Sequence, residues 1–266
     1  MATYVISDIH GCYTEFMSLL DKIAFNPDKD ELIIAGDIID RGPESFEMLR
    51  YMESKPKSVQ FIIGNHDVDF MHYCMQIEKM YEFGEHKGRV QNILNSPYFQ
   101  FRVPDYYNTV HELLWDHNLT KKDFANWKKC FSLMPYFLER KINNKNYIIV
   151  HGGYISSADF DNFLRHERYT DLETINTFYV WARTEHIKYG GKPDTTIVFG
   201  HTPTFMHEGF YNKGNVYYYK RKEDNCRFFN IDCGLVYKKN YPGQCNGKLA
   251  CLRLDDEQVF YQEPIG

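Results

Sequence analysis

The sequence predicts an α/β fold built on a largely parallel sheet, with a second, mixed sheet behind it. Three observations carry this. Strand, loop and helix follow one another three times within the first 80 residues. Five short segments rich in Asp, Asn and His each come just after a run of β-formers, as ligand-bearing loops do at strand C-terminal ends. Strands recur after residue 146, where period-two runs and turn residues alternate.

Residues 4–7 form a short β-rich run, and 13–24 space Phe16, Leu19, Leu20 and Ile23 at helical intervals. Residues 31–35 repeat the strand, 36–42 the loop and 43–52 the helix, with Pro43 in the first turn, where its missing N–H costs little. Residues 59–63 feed 64–67, and a helix follows through Cys74 and Met80. From 68 to 146 the pattern turns helical and aromatic, with Trp115, Phe124, Trp127, Phe131 and Phe137 among polar stretches. This is read as a helical insertion within a single domain spanning 1–266. Its aromatics are expected to complete the core, the alternative being a cap over the substrate path. Residues 147–150 and 195–199 are strands ending at His151 and His201, and 228–231 end at Asp232-Cys233-Gly234. Residues 248–254 and 258–262 pair antiparallel around Asp255-Asp256, and all these later strands are assigned to the second sheet.

Hydrophobic residues make up 43% of the chain and charged residues 25%, the profile of an ordinary globular protein. A net charge of −5 gives no general attraction to nucleic acid or an anionic membrane, so neither is an expected partner. Asp8 interrupts the first apolar run too early for a signal peptide, no basic segment precedes it, and no stretch of 18 apolar residues occurs. A cytosolic (cytoplasmic) location is expected. The odd count of seven cysteines points to free thiols, and Cys226, Cys233, Cys245 and Cys251 lack the paired spacing of a structural zinc site.

The five segments are Asp8-x-His10, Gly36-Asp37-x-x-Asp40-Arg41-Gly42, Gly64-Asn65-His66-Asp67, His151-Gly152-Gly153 and Gly200-His201-Thr202-Pro203. Carboxylate, amide and imidazole donors suit divalent ions of the Mn, Fe or Zn type. Asp8 and His10 lie two apart, so an extended segment points both at one ion. Asp37 has two oxygens and can bridge cations roughly 3.5 to 4 Å apart. Asn65, His151 and His201 can finish the second ion's shell. The histidines at 72, 86, 111, 117, 166, 186 and 207 have no such context and are read as surface or packing residues.

Taken in order, these segments resemble the signature of the calcineurin-like metallophosphoesterases, over residues 8–234. Within that superfamily the chain is similar to the phosphoprotein phosphatase branch of bacterial serine/threonine phosphatases. The resemblance implies two mixed β-sheets sandwiched by helices, an α/β/β/α arrangement with a helical insertion. It also implies that Asp8, His10 and Asp37 hold one metal, and that Asp37, Asn65, His151 and His201 hold the other. His66 is then the acid near the leaving group, Asp40 orients it, and Arg41 holds the phosphate. Arg183 in Trp181-Ala182-Arg183 is the candidate second phosphate-binding arginine, and Asp232 either orients a ligand or only forms a turn.

A catalytic metal can lower the pKa of water from 15.7 to about 7, a larger effect than the roughly 10²- to 10⁴-fold of a lone side-chain base. The predicted cofactor is therefore a pair of divalent ions, manganese first, with Fe, Zn, Ni or Co compatible, activating a hydroxide. Two substrate classes compete. The opening 1–13, the ending 247–262 and Gly-Asn-His-Asp are also similar to symmetrical diadenosine tetraphosphate hydrolases, which makes a dinucleoside polyphosphate a possible substrate. Asp40 behind His66 favours phosphomonoesters instead, because a serine or threonine alkoxide needs a proton more than a nucleoside diphosphate does. On sequence the preferred expectation is a serine/threonine protein phosphatase acting on a phosphoprotein or phosphopeptide. Symmetrical bis(5'-nucleosyl)-tetraphosphate hydrolysis is the alternative. A non-catalytic phospho-ligand binding module ranks last, since no ligand of the motif set is missing.

Overall fold

A computed structural model of the chain describes residues 1–81, 109, 112–113, 117, 119–167, 171–206, 208–240 and 246–265. Trp115, Cys245 and the histidines at 86, 111 and 207 lie outside these.

The first sheet begins as read: β1 (Thr3–Ile6), β2 (Glu31–Ala35) and β3 (Val59–Ile62) are parallel neighbours, with Tyr4 opposite Leu32 and Ile33 opposite Gln60. Helix α1 (Tyr13–Lys22) follows β1, α2 (Ser45–Ser54) follows β2, and α3 (Asn65–Tyr81) follows β3. Helix α2 starts later than expected, and Pro43 precedes its cap residue Glu44. Glu44 N–H donates to the carbonyl of Gly11 at 2.8 Å, so residues up to 44 are tied to the first ligand loop before the helix can begin.

The second sheet contains β4 (Phe137–Ile142), β5 (Lys145–Val150), β6 (Thr195–Phe199), β7 (Tyr217–Lys220) and β8 (Arg227–Asn230), in the order 4-5-6-8-7. Strands β5, β6 and β8 are parallel, while β4 and β7 close the edges antiparallel. Two expectations change here. Residues 137–142, read as part of the helical insertion, form edge strand β4, whose Glu139 and Lys141 face water. The C-terminal hairpin β9 (Leu249–Arg253) and β10 (Val259–Gln262) joins the first sheet, not the second, with Leu252 antiparallel to Val5 of β1. Both sheets are therefore mixed.

Strand periodicity explains the layering. Val5, Ile33, Ala35, Tyr147, Ile149, Val198 and Phe229 form one buried cluster shared by the two sheets. Their alternate neighbours Tyr4, Ile6, Leu32 and Ile34 pack instead against α1, α2 and α3. On the far side Ile148, Val150, Ile197, Phe199 and Phe228 meet α5 (Ser157–His166), α6 (Ile175–Trp181) and the short α7 (Glu185–Lys188). Because both faces of each sheet are covered, the central strands read as continuous apolar runs. The result is helices, sheet, sheet, helices.

Phe124, Trp127 and Phe131 lie on one face of α4 (Lys121–Ser132), buried against Phe70 of α3 with ring centroids 6.3 Å from Trp127 and 5.8 Å from Phe131. Those three aromatics are core. Helix α8 (Leu235–Asn240) completes that layer. No helix among the described residues is long and apolar enough to cross a membrane.

Candidate metal centre and active site

Residues 7–11, 36–42, 63–67, 151–153 and 200–203 each leave the C-terminal end of a strand: β1, β2, β3, β5 and β6. Within each sheet these strands are parallel, so their loops emerge along one edge. Hydrogen bonds then join the two edges. His151 Nδ1 donates to the carbonyl of Ala35 at 2.9 Å, and His201 N–H donates to both carboxylate oxygens of Asp8 at 3.1 Å. The first two loops are zipped directly, His10 N–H to Asp37 O and Gly11 N–H to Ile38 O, each at 2.9 Å.

The loops are strained. Asp8, His10, Asp37, Asp40, Arg41 and His201 all have φ between +49° and +72°, the left-handed region that costs a non-glycine residue about 1–3 kcal/mol. Such a conformation survives only where neighbours determine it. Two glycines make the crowding possible: a Cβ on Gly64 would lie 2.3 Å from Asp37 Oδ1, and one on Gly200 would lie 2.0 Å from Asp8 Oδ2. The expected extended Asp8-x-His10 segment is thus corrected to a left-handed turn. Asp8 turns to the His201 amide, while His10 turns to Asp37.

Asp37 stands at the centre. Its Oδ2 lies 3.6 Å from His10 Nε2, and its Oδ1 lies 3.3 Å from His151 Nε2, so its two oxygens face two different imidazoles. The convergent donor groups are His10, Asp37 and His66 on one side, and Asp37, His151 and His201 on the other, with the donor atoms of each group within 4.8 Å of one another. All are buried. Asn65 joins the second group, its Oδ1 3.0 Å from His151 Nε2 and 2.9 Å from His201 Nδ1. Asp8 belongs to neither group, although it borders both through His201 and Asp37.

The donor chemistry fits a pair of cations. His10 Nδ1 donates to the carbonyl of Ile39 at 2.9 Å, which leaves the Nε2 lone pair facing Asp37 and the Arg41 guanidinium. His151 is fixed the same way by Ala35, so its Nε2 points at two oxygens, an arrangement that repels unless positive charge sits there. A proton can supply it: burial opposes the charge, but Asp37 pushes His151 up to about 10. A divalent ion supplies more. His201 is held well below the usual histidine range by burial and by the His151 and Arg183 charges, and its buried Nε2 has no hydrogen-bond partner among the described residues. That is a neutral imidazole with a lone pair ready to coordinate.

Electrostatics points the same way. Asp8, Asp37, Asp40, Asp67 and Asp232 are all buried around this point, and buried carboxylates require compensating charge. Burial, with the Asp37 charge adding to it, pushes Asp8 up to about 6. Asp37 moves the other way: burial disfavours its charge, but the imidazoles of His151 and His66 hold it well below the usual carboxylate range.

His66 Nδ1 lies 3.0 Å from Asp40 Oδ2, the pairing expected of a buttressed acid. Burial disfavours protonated His66, yet Asp37 and Asp40 outweigh it and raise the pKa. A cavity of about 410 Å³ opens here, lined by Asp37, Arg41, Asn65, His66, Arg183 and His201, together with Trp181, Met206 and Tyr237. Arg183 therefore does reach the site, its Nη1 donating to Thr202 Oγ1 at 3.0 Å. Arg41 lies over the Tyr237 ring, 5.3 Å from its centroid. Asp232 caps a turn, accepting from Gly234 N–H at 2.9 Å, and burial with the Asp8 charge raises its carboxyl well above the usual range.

Sequence reasoning assigned no role to Asp67. Its carboxylate accepts the N–H groups of Asp37, Ile38 and Gly64 at 2.9, 3.1 and 2.8 Å. The remaining described histidines stay apart from this cluster: His72 and His166 are exposed, His117 stacks on Phe46 at 3.7 Å, and His186 is buried behind the second sheet. Cys226, Cys233 and Cys251 are free thiols and join no donor group among the described residues.

Known proteins resemble this chain in sequence or in fold. A symmetrical bis(5'-nucleosyl)-tetraphosphatase from Buchnera aphidicola subsp. Schizaphis graminum is 36% identical over 164 residues, 60% of this chain and 48% of its own length. The enzyme of the same description from Buchnera aphidicola subsp. Acyrthosiphon pisum is 54% identical over 71 residues, 27% of this chain and 26% of its own. The chain thus spans between a quarter and a half of the length of these curated relatives. Among solved structures, a candidate diadenosine tetraphosphatase (TM-score 0.53, 18% identity, 100% of this chain and 95% of that one) shares the fold. So does a protein serine/threonine phosphatase from Saccharomyces cerevisiae (TM-score 0.53, 15% identity, 100% and 81%). The family pattern described as calcineurin-like phosphoesterase matches residues 1–235, from the first strand through the turn after Asp232. With that match over most of its length, the chain belongs to the calcineurin-like phosphoesterase family.

Proposed function

We propose that this metallophosphoesterase hydrolyses dinucleoside tetraphosphates symmetrically, at a centre of two divalent ions. The observation that carries the dinuclear reading is Asp37, whose two oxygens face His10 on one side and His151 on the other. Asp8, His10 and Asp37 would hold one ion, and Asp37, Asn65, His151 and His201 the second. Manganese is the first expectation, with Fe, Zn, Ni or Co compatible with the same donors. Bound there, such ions polarise phosphoryl oxygens and lower the pKa of water.

The chain's own groups do the rest. Arg41 and Arg183 line the cavity, and their planar forks suit paired phosphate oxygens. His66, with Nδ1 committed to Asp40, has Nε2 as the atom that can carry a proton to the departing oxygen. Water adds to phosphorus, the bridging P–O bond of the central anhydride breaks, and two nucleoside diphosphates leave. The substrate class is supported by the curated relatives, which favour the second of the two sequence expectations over the first.

One observation favours the other reading, serine/threonine phosphoprotein hydrolysis. The Asp40–His66 pair at 3.0 Å is most useful when the leaving group is a poor one such as an alkoxide. A single comparison separates the two: manganese-loaded protein is given diadenosine tetraphosphate, a phosphothreonine peptide and a mononucleotide under the same conditions, and products are resolved by ion exchange. ADP as the sole nucleotide product, at the highest turnover of the three, is expected. Faster release of phosphate from the peptide would transfer the assignment to the phosphoprotein reading.

A further inference from the structure

We propose that Trp181 is the platform on which one nucleobase of the substrate stacks, making the outer part of the cavity a base subsite beside the phosphate site. This rests on the dinucleoside polyphosphate reading of the same cavity. Helix α6 ends at Trp181, and Ala182 continues in extended conformation at φ −62° and ψ 141°. In an extended segment alternate side chains share a side, so buried Ala182 faces the core while Trp181 and Arg183 project together into the cavity.

Among the residues lining the cavity, Trp181 is the exposed aromatic. Trp181 is 42% exposed although a tryptophan loses most by contact with water, and it lies against the chemistry, its ring 5.6 Å from that of His201 and edge-on at 85°. Its sequence neighbour Arg183 is anchored to Thr202. Two residues along an extended chain are roughly 6.5 Å apart, which sets a flat apolar surface beside a phosphate-holding cation. A nucleotide has the same composition: a charged phosphate and a flat base joined through one sugar. Met206, 58% exposed, lines the same cavity and offers an adaptable thioether surface, whereas Tyr237 already has Arg41 over its ring.

The test compares inhibitors that share phosphate but differ in the base. Hydrolysis of p-nitrophenyl phosphate by manganese-loaded wild type, Trp181→Ala and Trp181→Phe is inhibited by ADP and, separately, by inorganic phosphate. Stacking predicts that Trp181→Ala raises the ADP inhibition constant about 5- to 150-fold, the range for one base on one aromatic, while the phosphate constant stays within about twofold. Trp181→Phe should recover most of the ADP affinity, because the aromatic face is retained. Equal weakening of both inhibitors, or an unchanged ADP constant, would overturn the platform. The two proposals fail separately: loss of ADP selectivity in Trp181→Ala stands even if wild type leaves diadenosine tetraphosphate intact.

Discussion

Asp67 accepts the backbone N–H of Asp37 at 2.9 Å, and through the same carboxylate the N–H groups of Ile38 and Gly64. One side chain thereby fixes the loop after β2 to the loop after β3, and holds Asp37 in its left-handed conformation. Asp67→Asn replaces one acceptor oxygen with an N–H donor, leaving a buried amide unsatisfied at about 1–3 kcal/mol. The expected outcome is a lower melting temperature together with weaker manganese binding, both measurable on one preparation. Normal metal affinity in a merely less stable Asp67→Asn protein would reduce Asp67 to a scaffold residue.

Asp40 acts through His66. Replacing it with asparagine keeps the size and removes one of the two carboxylates, Asp37 being the other, that raise the His66 pKa. We expect Asp40→Asn to slow alkyl phosphate hydrolysis by about 10²- to 10⁴-fold, the range for a general acid, and p-nitrophenyl phosphate hydrolysis far less. Equal slowing of both leaving groups would show that Asp40 supports the loop and not the proton.

Arg41 is held between His10 and the Tyr237 ring. Lysine there keeps the charge but has neither the fork nor the flat face, and a charge-assisted hydrogen bond contributes about 1.5–3 kcal/mol. Arg41→Lys should therefore lose about 10- to 150-fold in kcat/KM while binding its full complement of metal. Near-normal kcat/KM in Arg41→Lys would mean that the arginine does not grip the substrate.

Much of the centre was legible because metal donors after β-runs are rare in combination. Asp37, Asn65, His66, His151 and His201 come together as expected, and β2 and β6 have the expected bounds. What escaped depends on distant partners. A hairpin such as β9–β10 carries its own pairing in its turn but nothing about which sheet edge receives it, and that choice is made by Val5 and Leu252. The β4 run Phe-Leu-Glu-Arg-Lys-Ile looks polar because an edge strand keeps charged residues exposed. Asp67 escaped because two of the three backbone amides it binds, those of Asp37 and Ile38, lie some 30 positions earlier, which no local motif records. The left-handed turn at Asp8 and His10 is likewise imposed by the neighbouring loop.

His186, away from the metal donors, predicts acid sensitivity. It is buried among Phe199, Phe210 and Phe228, and burial followed by the Arg221 charge lowers its pKa to about 3 from an ordinary 6.5. The unfolded chain then binds the proton more tightly, so this contribution to stability is complete above about pH 6.5 and falls as pH drops toward 3, by up to about 1.4 kcal/mol per pH unit. His186→Leu should flatten the acid side of a stability-against-pH curve measured by urea unfolding. An unchanged slope would place the acid sensitivity elsewhere.

The central claim is that Asp37 joins two ions, and anomalous scattering from crystals grown with manganese tests it most directly. The account predicts two peaks roughly 3.5–4 Å apart on either side of the Asp37 carboxylate, and loss of at least one of them in Asp37→Asn. A single peak, or two that do not share Asp37, would contradict it.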